Sequence, residues 1–405
     1  MNKGMKMIRE KVMTLLVYLN EIMRNTSKGF YAYISALLVI ILGSGFVWYL
    51  MLTIGAGITD SSDFVPWGIF IVGFVFFVGT SAGATIIGLM IYAFNRHDYK
   101  PLAIRAIIVG LVSLLAAVLN LIMDAGTPMR ALLIPWILRS FTSMLIYTTS
   151  TYILFGILLI AELFFAVKVV MGSKSAIDKK MAKWLAIFAV PFALVVLHAP
   201  HGALFAVVKA REYWHTPLLP PHFAVSALVS GTALMILVSI VLSRINKREI
   251  VGIVTLSHMG TLLAFFMAVN IFMDTFDILV LKYSEEPEGM EALHLLTGRF
   301  APLFALNFLG LVMSLIMLMT TWGRKTIKGL TTVSCVTLLA IMSYRYNLII
   351  VAQIVPLQQG LPELHYFPAA SEIVLEIGIV SLMLFVYAVL SKILPMEDRV
   401  FSETN

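Results

Sequence analysis

Two imidazoles, His198 and His201, close an otherwise oily stretch, and Trp214-His215-Thr216-Pro217 follows across a short charged corner. Three apart, the two histidines share a helix face, and imidazole is the side chain that changes charge near neutral pH. Other ionisable groups stand in or beside apolar runs: Asp124, Arg139, Asp274, Asp277, Arg345, Glu372 and Glu376, with Glu162 and His258 set apart. A charge surrounded by hydrocarbon is costly, so each is a functional candidate. Plainer readings apply to some of them. Asp277, Arg130 and Lys282 suit helix ends anchored at head groups. Arg345 facing Glu372 or Glu376 would be a packing ion pair. His201 would equally suit a head-group position.

The residue types narrow the chemistry. Haem needs histidines at matching depth on facing helices, and of His198, His201 and His258 the first and last sit at different depths. Cys335 is the one cysteine, so an iron–sulfur cluster, which needs about four thiolates, is excluded from this chain. No zinc-type ligand cluster, phosphate loop or dinucleotide fingerprint is present. Gly79-Thr80-Ser81-Ala82-Gly83-Ala84-Thr85 carries the small residues of close helix packing. What remains is a site for an amphipathic organic molecule, and a quinone fits it. Its ring needs an apolar slot, its oxygens need hydrogen-bond partners, and its redox step moves two protons with two electrons. A secondary transporter would also use intramembrane charges. It would favour Gly and Pro breaks at the midplane, whereas Pro66, Pro217, Pro220, Pro221, Pro356, Pro362 and Pro368 gather at helix ends.

The elements that must hold these residues are membrane helices. Of 405 residues 60% are hydrophobic and 13% charged, against about 25% charged in soluble domains. Apolar runs predict an all-α polytopic membrane protein of ten spans, at 30–52, 66–94, 101–123, 140–167, 184–208, 221–243, 250–273, 300–322, 329–352 and 369–392. They form one domain over 29–400. Of the 29 Lys and Arg, 22 fall on one side of this topology and seven on the other. That bias places both termini in the cytoplasm of a cytoplasmic-membrane protein and accounts for the net charge of +7 without nucleic acid. Asp124, Arg139, His198, Asp274 and Glu372 then crowd the outer side, with Glu162 and His258 toward the inner half. Residues 1–28 precede the first span. Within them, 7–23 repeats Ile8, Val12, Leu15, Leu16, Leu19 and Met23 at helical spacing, an amphipathic helix for the inner surface. No clean cleavage site marks a signal peptide. Gly83 and Arg96 recur in spacing as Gly231 and Arg244, and Asp124 recurs as Asp274, so spans two to five and six to nine read as two duplicated four-helix bundles.

Three stretches carry a family resemblance: Pro66-Trp67-Gly68 leading to Phe74–Thr85 with Arg96 and Arg105; Asp124-Ala125-Gly126-Thr127-Pro128-Met129-Arg130 with Arg139-Ser140; and the Trp214–Gly231 corner and helix. They resemble the NrfD/PsrC, or polysulfide reductase membrane-subunit, family. The Tyr344–Ile373 tail is similar to its ten-helix branch, which includes DsrP and HybB subunits and the membrane subunits of alternative complex III. The resemblance implies a subunit without redox cofactor that binds menaquinone or another quinone near the outer face. It implies an extracytoplasmic iron–sulfur partner subunit, with further membrane and cytochrome subunits, as in a DsrMKJOP-like sulfur-metabolism complex. A HybB-like hydrogenase subunit is the alternative within the family. Asp124, Arg139, His198 and Trp214 match it residue by residue. Ser81, where alternative complex III has histidine, and Thr127, where the family turn has arginine, depart from it. On this reading His198 accepts the quinol proton. Asp124 and Asp274 orient it or release protons, Arg139 holds the Asp124 turn, and Tyr147 and Trp214 wall the ring. Glu162, His258 and His201 are candidates for a proton route. His215, Thr216, Glu285 and Glu286 are candidates for partner contact.

Overall fold

A computed structural model describes residues 26–126, 143–356 and 364–396. Ten helices in it are long and apolar enough to cross a membrane, and no strand occurs among the described residues. This is an all-α, multi-pass membrane protein. In hydrocarbon each backbone N–H and C=O must find its partner within its own segment, which a helix provides. The helices are α1 (Lys28–Ile54), α2 (Ile69–Ala84, continued by Ile86–Tyr92), α3 (Ala103–Asp124), α4 (Met144–Val170), α5 (Ala176–Pro191, Phe192–His198 and Ala199–Ala206), α6 (Leu219–Ile245), α7 (Ile253–Ser284), α8 (Ala301–Met319), α9 (Ile327–Ile354) and α10 (Ala370–Ile393). The amphipathic segment at 7–23 lies outside the described residues.

Helix α2 is the centre of the protein. Its apolar window is 89% buried, against 17% for α1, so α1 is peripheral. α2 packs on α3 and α6; α6 packs on α7, α9 and the last part of α5; α8 packs on α9; and α10 packs on α1 and α3. Where α2 crosses α6, Gly83 and Gly231 bring the two backbones into contact, and a Cβ on either would overlap the facing helix. Without a hydrophobic drive between membrane helices, such small-residue contacts let backbones approach and gain dispersion energy.

Two boundaries differ from the sequence expectation, with consequences for the site. α7 does not stop near residue 273 but continues to Ser284. No Gly or Pro interrupts it there, and it ends where Glu285 takes a left-handed φ of 53°. Asp274 and Asp277 are therefore mid-helix residues rather than helix-end anchors. The Glu285–Gly289 stretch is likewise no open acidic loop. Pro287 and Glu288 start a helix, Pro287–Thr297, since Pro is tolerated and acid favoured in a first turn.

α5 changes winding over Phe192–His198, which form a π turn between Pro191 and Pro200. Proline lacks the N–H that would continue the regular ladder, and π turns inside α-helices frequently mark functional positions. The turn ends on His198.

The loops beside α2 and α10 are held by one carboxylate. Glu372 accepts from the backbone N–H of Asp60 at 3.2 Å and of Ala369 at 2.8 Å, and from the Tyr366 hydroxyl at 3.0 Å. The Tyr366 oxygen accepts in turn from the Ile69 N–H at 2.7 Å. Tyr366→Phe leaves that N–H and one carboxylate oxygen without their partner. We expect it to destabilise the protein by about 1–3 kcal/mol, read as a lowered thermal midpoint in detergent.

Candidate functional site

A row of polar side chains runs between α5, α6, α7 and α9. At its deep end His198 and His201 are 0% and 1% exposed, so His201 does not face head groups. The Tyr152 hydroxyl lies 2.6 Å from His201 Nδ1, and the Phe74 ring packs 4.8 Å from the same imidazole. Neither nitrogen of His198 has a hydrogen-bond partner. Its ring lies 5.6 Å from Phe223, and a Cβ on Gly79 would stand 3.4 Å from His198 Nε2.

Arg345 occupies the middle of the row. It is 1% exposed, its guanidinium lies 3.9 Å from the Phe223 ring centre, and Nη2 donates to the Ser226 hydroxyl. Its Nε and Nη1 have no hydrogen-bond partner. The ion pair with Glu372 or Glu376 expected from sequence does not form, because α9 packs against α6 and α8 whereas α10 packs against α1 and α3.

At the shallow end His222 lies between Tyr344 and Asp274. The Tyr344 hydroxyl is 2.9 Å from His222 Nδ1, and His222 Nε2 is 3.2 Å from Asp274 Oδ1. The latter is an ion-pair distance without hydrogen-bond alignment. Asn270 Nδ2 donates to Asp274 Oδ2 at 2.9 Å. The row opens into a cavity of about 200 Å3 bounded by α7, α8, α9 and the 212–216 corner. Asp274, Asp277, Tyr344 and Asn347 line it together with His215 and Thr216 from the corner and Glu286 from the turn after α7. His222 and Tyr344 were not singled out in the sequence. Pro220 and Pro221 make His222 read as part of the corner, although it already lies within α6.

The other sequence candidates stand elsewhere. Asp124, at the end of α3, has Glu372 as its charged neighbour. One turn earlier, Asn120 and Glu376 lie together against Gly73, so these residues form a separate acidic group by α10. Arg139 lies outside the described residues. Trp214 is buried as a structural pin. Its indole N–H donates to the Leu348 carbonyl at 2.7 Å and its ring stacks on Trp67 at 5.6 Å. Tyr147, 42% exposed, borders an apolar groove with Val195, Ala199 and Pro200 on the outside of α5. Glu162 is buried with one carboxylate oxygen unpartnered, beside a void of about 20 Å3 lined by Thr85 and Tyr92, room for a single water. His258 is exposed and lies 2.6 Å from an Arg96 nitrogen, and Arg96 in turn pairs with Asp98. Glu162 and His258 thus belong to two different surroundings.

The corner is tied down on both flanks. His215 Nδ1 donates to the Ala206 carbonyl at 2.8 Å, Arg211 donates to the Val355 carbonyl at 2.6 Å, and Thr216 hydrogen-bonds Asp277. Glu285 is exposed at the end of α7. Glu212 accepts from the Gly289 N–H at 3.0 Å, docking the Pro287–Thr297 helix. Burial pushes the Glu212 carboxyl above its ordinary value, Glu286 and Glu288 push the same way, and the Gly289 N–H opposes them. The folded chain therefore holds this proton more tightly than the unfolded one. Its contribution to stability is present at acid pH and falls as pH rises through the raised carboxyl range. We expect a thermal midpoint that declines as pH rises through the carboxyl range, and a smaller decline in Glu212→Gln.

Known proteins place this architecture. Residues 57–357 match the family described as polysulphide reductase, NrfD. The chain is 26% identical over 396 residues to a selenate reductase subunit of Mesobacillus selenatarsenatis, covering 87% of this chain and 91% of that protein. It is 30% identical over 265 residues to a putative dimethyl sulfoxide reductase membrane subunit of Halobacterium salinarum, 60% of this chain and 58% of the relative. It is 28% identical over 228 residues to an Hdr-like menaquinol oxidoreductase integral membrane subunit of Archaeoglobus fulgidus, 56% and 50% respectively. A family match across some three quarters of the sequence, on a ten-helix membrane fold, means that the chain belongs to the polysulphide reductase NrfD family.

Proposed function

We propose that the chain is the quinone-binding membrane subunit of a multi-subunit oxidoreductase, and that the quinol head group occupies the cavity between α7, α8, α9 and the 212–216 corner. The observation that carries this reading is that one cavity gathers a buried carboxylate, Asp274, two corner residues, His215 and Thr216, and Glu286 from the turn after α7. At about 200 Å3 it is smaller than the roughly 300–1,000 Å3 of pockets for drug-sized ligands, so it suits a ring and leaves an isoprenoid tail outside. Quinol oxidation releases two electrons and two protons. Asp274 is the acceptor nearest the ring, with His222 and Tyr344 behind it, while Asp277 and Thr216 lead toward the corner. His198 stands beyond Phe223 and Arg345, so on this reading it shapes the deep end of the row and Asp274 takes the proton. Electrons leave through a partner docked on the corner. The bias of Lys and Arg supports a corner outside the cytoplasm, and with it an iron–sulfur partner on that side.

The menaquinol-linked relative supports the quinone, and the relative matched along nearly its whole length is a selenate reductase subunit. That coverage favours a terminal oxyanion-type reductase over a DsrMKJOP-like sulfur complex as the assembly. The test is purification of the intact complex in mild detergent. Copurifying quinone, iron–sulfur protein and quinol-dependent reductase activity are expected. A lone oligomer without quinone would overturn the reading in favour of a transporter.

A further inference from the structure

We infer that the cavity discriminates between redox forms of its ligand, binding the hydroxyl-bearing quinol in preference to the quinone; this rests on the quinone reading above. A quinone ring presents two acceptor oxygens, whereas a quinol presents two O–H donors, so the preference follows from what the walls offer. Asp274, Asp277, Glu212 and Glu286 line the cavity, and no Lys or Arg is among the described lining residues. Against these four acids the donors left to the cavity are few, the Asn347 amide N–H and the Tyr213 hydroxyl, because the protons of the other neighbouring polar groups are committed. Asn270 donates to Asp274, Thr216 hydrogen-bonds Asp277, and the Ser284 hydroxyl donates to the Leu281 carbonyl. His215 donates through Nδ1 to the Ala206 carbonyl, which leaves Nε2 of the neutral ring a bare acceptor. The Tyr344 hydroxyl is engaged with His222 Nδ1 at 2.9 Å.

A second, independent observation points to a ligand. Asn347, 2% exposed, lines the cavity with neither its amide oxygen nor its nitrogen partnered, and the 4%-exposed Asn307 lines it with its amide oxygen unpartnered. Buried amides are ordinarily satisfied, so an orphaned pair facing one space marks a partner that the chain itself does not supply. A ligand with hydroxyl protons satisfies both amide oxygens and the carboxylates. A ligand with carbonyl oxygens alone can engage only the Asn347 amide N–H and the Tyr213 hydroxyl, and it leaves both amide oxygens and the carboxylates facing lone pairs.

The experiment uses the intact complex in lipid nanodiscs, with menadiol kept reduced and menadione as probes in equilibrium dialysis. We expect menadiol to bind at least about tenfold tighter. For a two-electron couple each tenfold raises the midpoint potential of the bound pair by about 30 mV. Glu212→Gln with Asp277→Asn introduces amide donors and should shrink the ratio toward one. Ile278→Trp fills the cavity and should weaken both probes, with a thermal melt confirming that each variant is folded. Equal binding of both probes to the native complex, each weakened by Ile278→Trp, would overturn the selectivity and leave the quinone site standing. Binding that ignores Ile278→Trp would overturn the site itself. Competition by tetramethylammonium as strong as that by menadiol would overturn both in favour of a cation site.

Discussion

Replacing Asp274 by asparagine is expected to cut quinol-dependent electron delivery by about a hundredfold or more while the chain still folds in its membrane. The substitution keeps the side chain's size but removes its ability to take a proton, and positioned acid–base groups contribute typically 10²–10⁴-fold. Asn270 would then direct its amide N–H at a group with one acceptor in place of two, and His222 would lose the carboxylate now 3.2 Å from its Nε2. The measurement is quinol-driven reduction by the assembled complex, with a thermal melt beside it. Asp124→Asn is the informative contrast, because Asp124 sits by Glu372 rather than in the cavity, and its effect should be far smaller. An Asp274→Asn complex that turned over normally, or an Asp124→Asn complex that lost more activity, would remove the cavity from the mechanism.

The second large effect is on folding. Gly231→Leu places four carbons where α6 touches the backbone of α2, since even one Cβ there overlaps Gly83. The helices cannot separate locally, because α2 also packs on α3 and α6 on α7 and α9. We expect a destabilisation above about 4 kcal/mol, seen as loss of the monodisperse peak when the protein is extracted in mild detergent. Gly45→Leu on α1 is the control. It has open space around its Cβ position and should extract like the native chain. Equal recovery of both variants would show that the glycine contact is dispensable.

The number of spans is legible in the sequence; which faces of them meet is not. Hydropathy locates all ten helices, and the small residues around Gly83 mark a packing surface, because bilayer thickness and close approach both leave local marks. Which faces meet is a property of the whole bundle. Asp124 and Asp274 both lie toward the corner end, yet one neighbours α10 and the other lines a cavity among α7, α8 and α9. Arg345 shows the same limit, since no spacing rule reveals that its neighbours are Ser226 and Phe223 rather than Glu372. Asn347 and Asn307 leave no mark in the sequence, because a lone amide in an apolar run carries no pattern. Only the missing partners in the folded chain make them conspicuous.

The wide turn at Phe192–His198 has a consequence for how this protein tolerates sequence change. Each residue advances a regular helix by about 100°, so a turn that accommodates one extra residue resets the phase of all that follows. His201 meets Tyr152 only in that shifted phase. Deleting one residue between 192 and 197 would let the helix wind uniformly and still cross the membrane, yet both imidazoles would swing about a quarter of a revolution from their present neighbours. Length variation in this span should therefore be far less forgiving than in any of the loops.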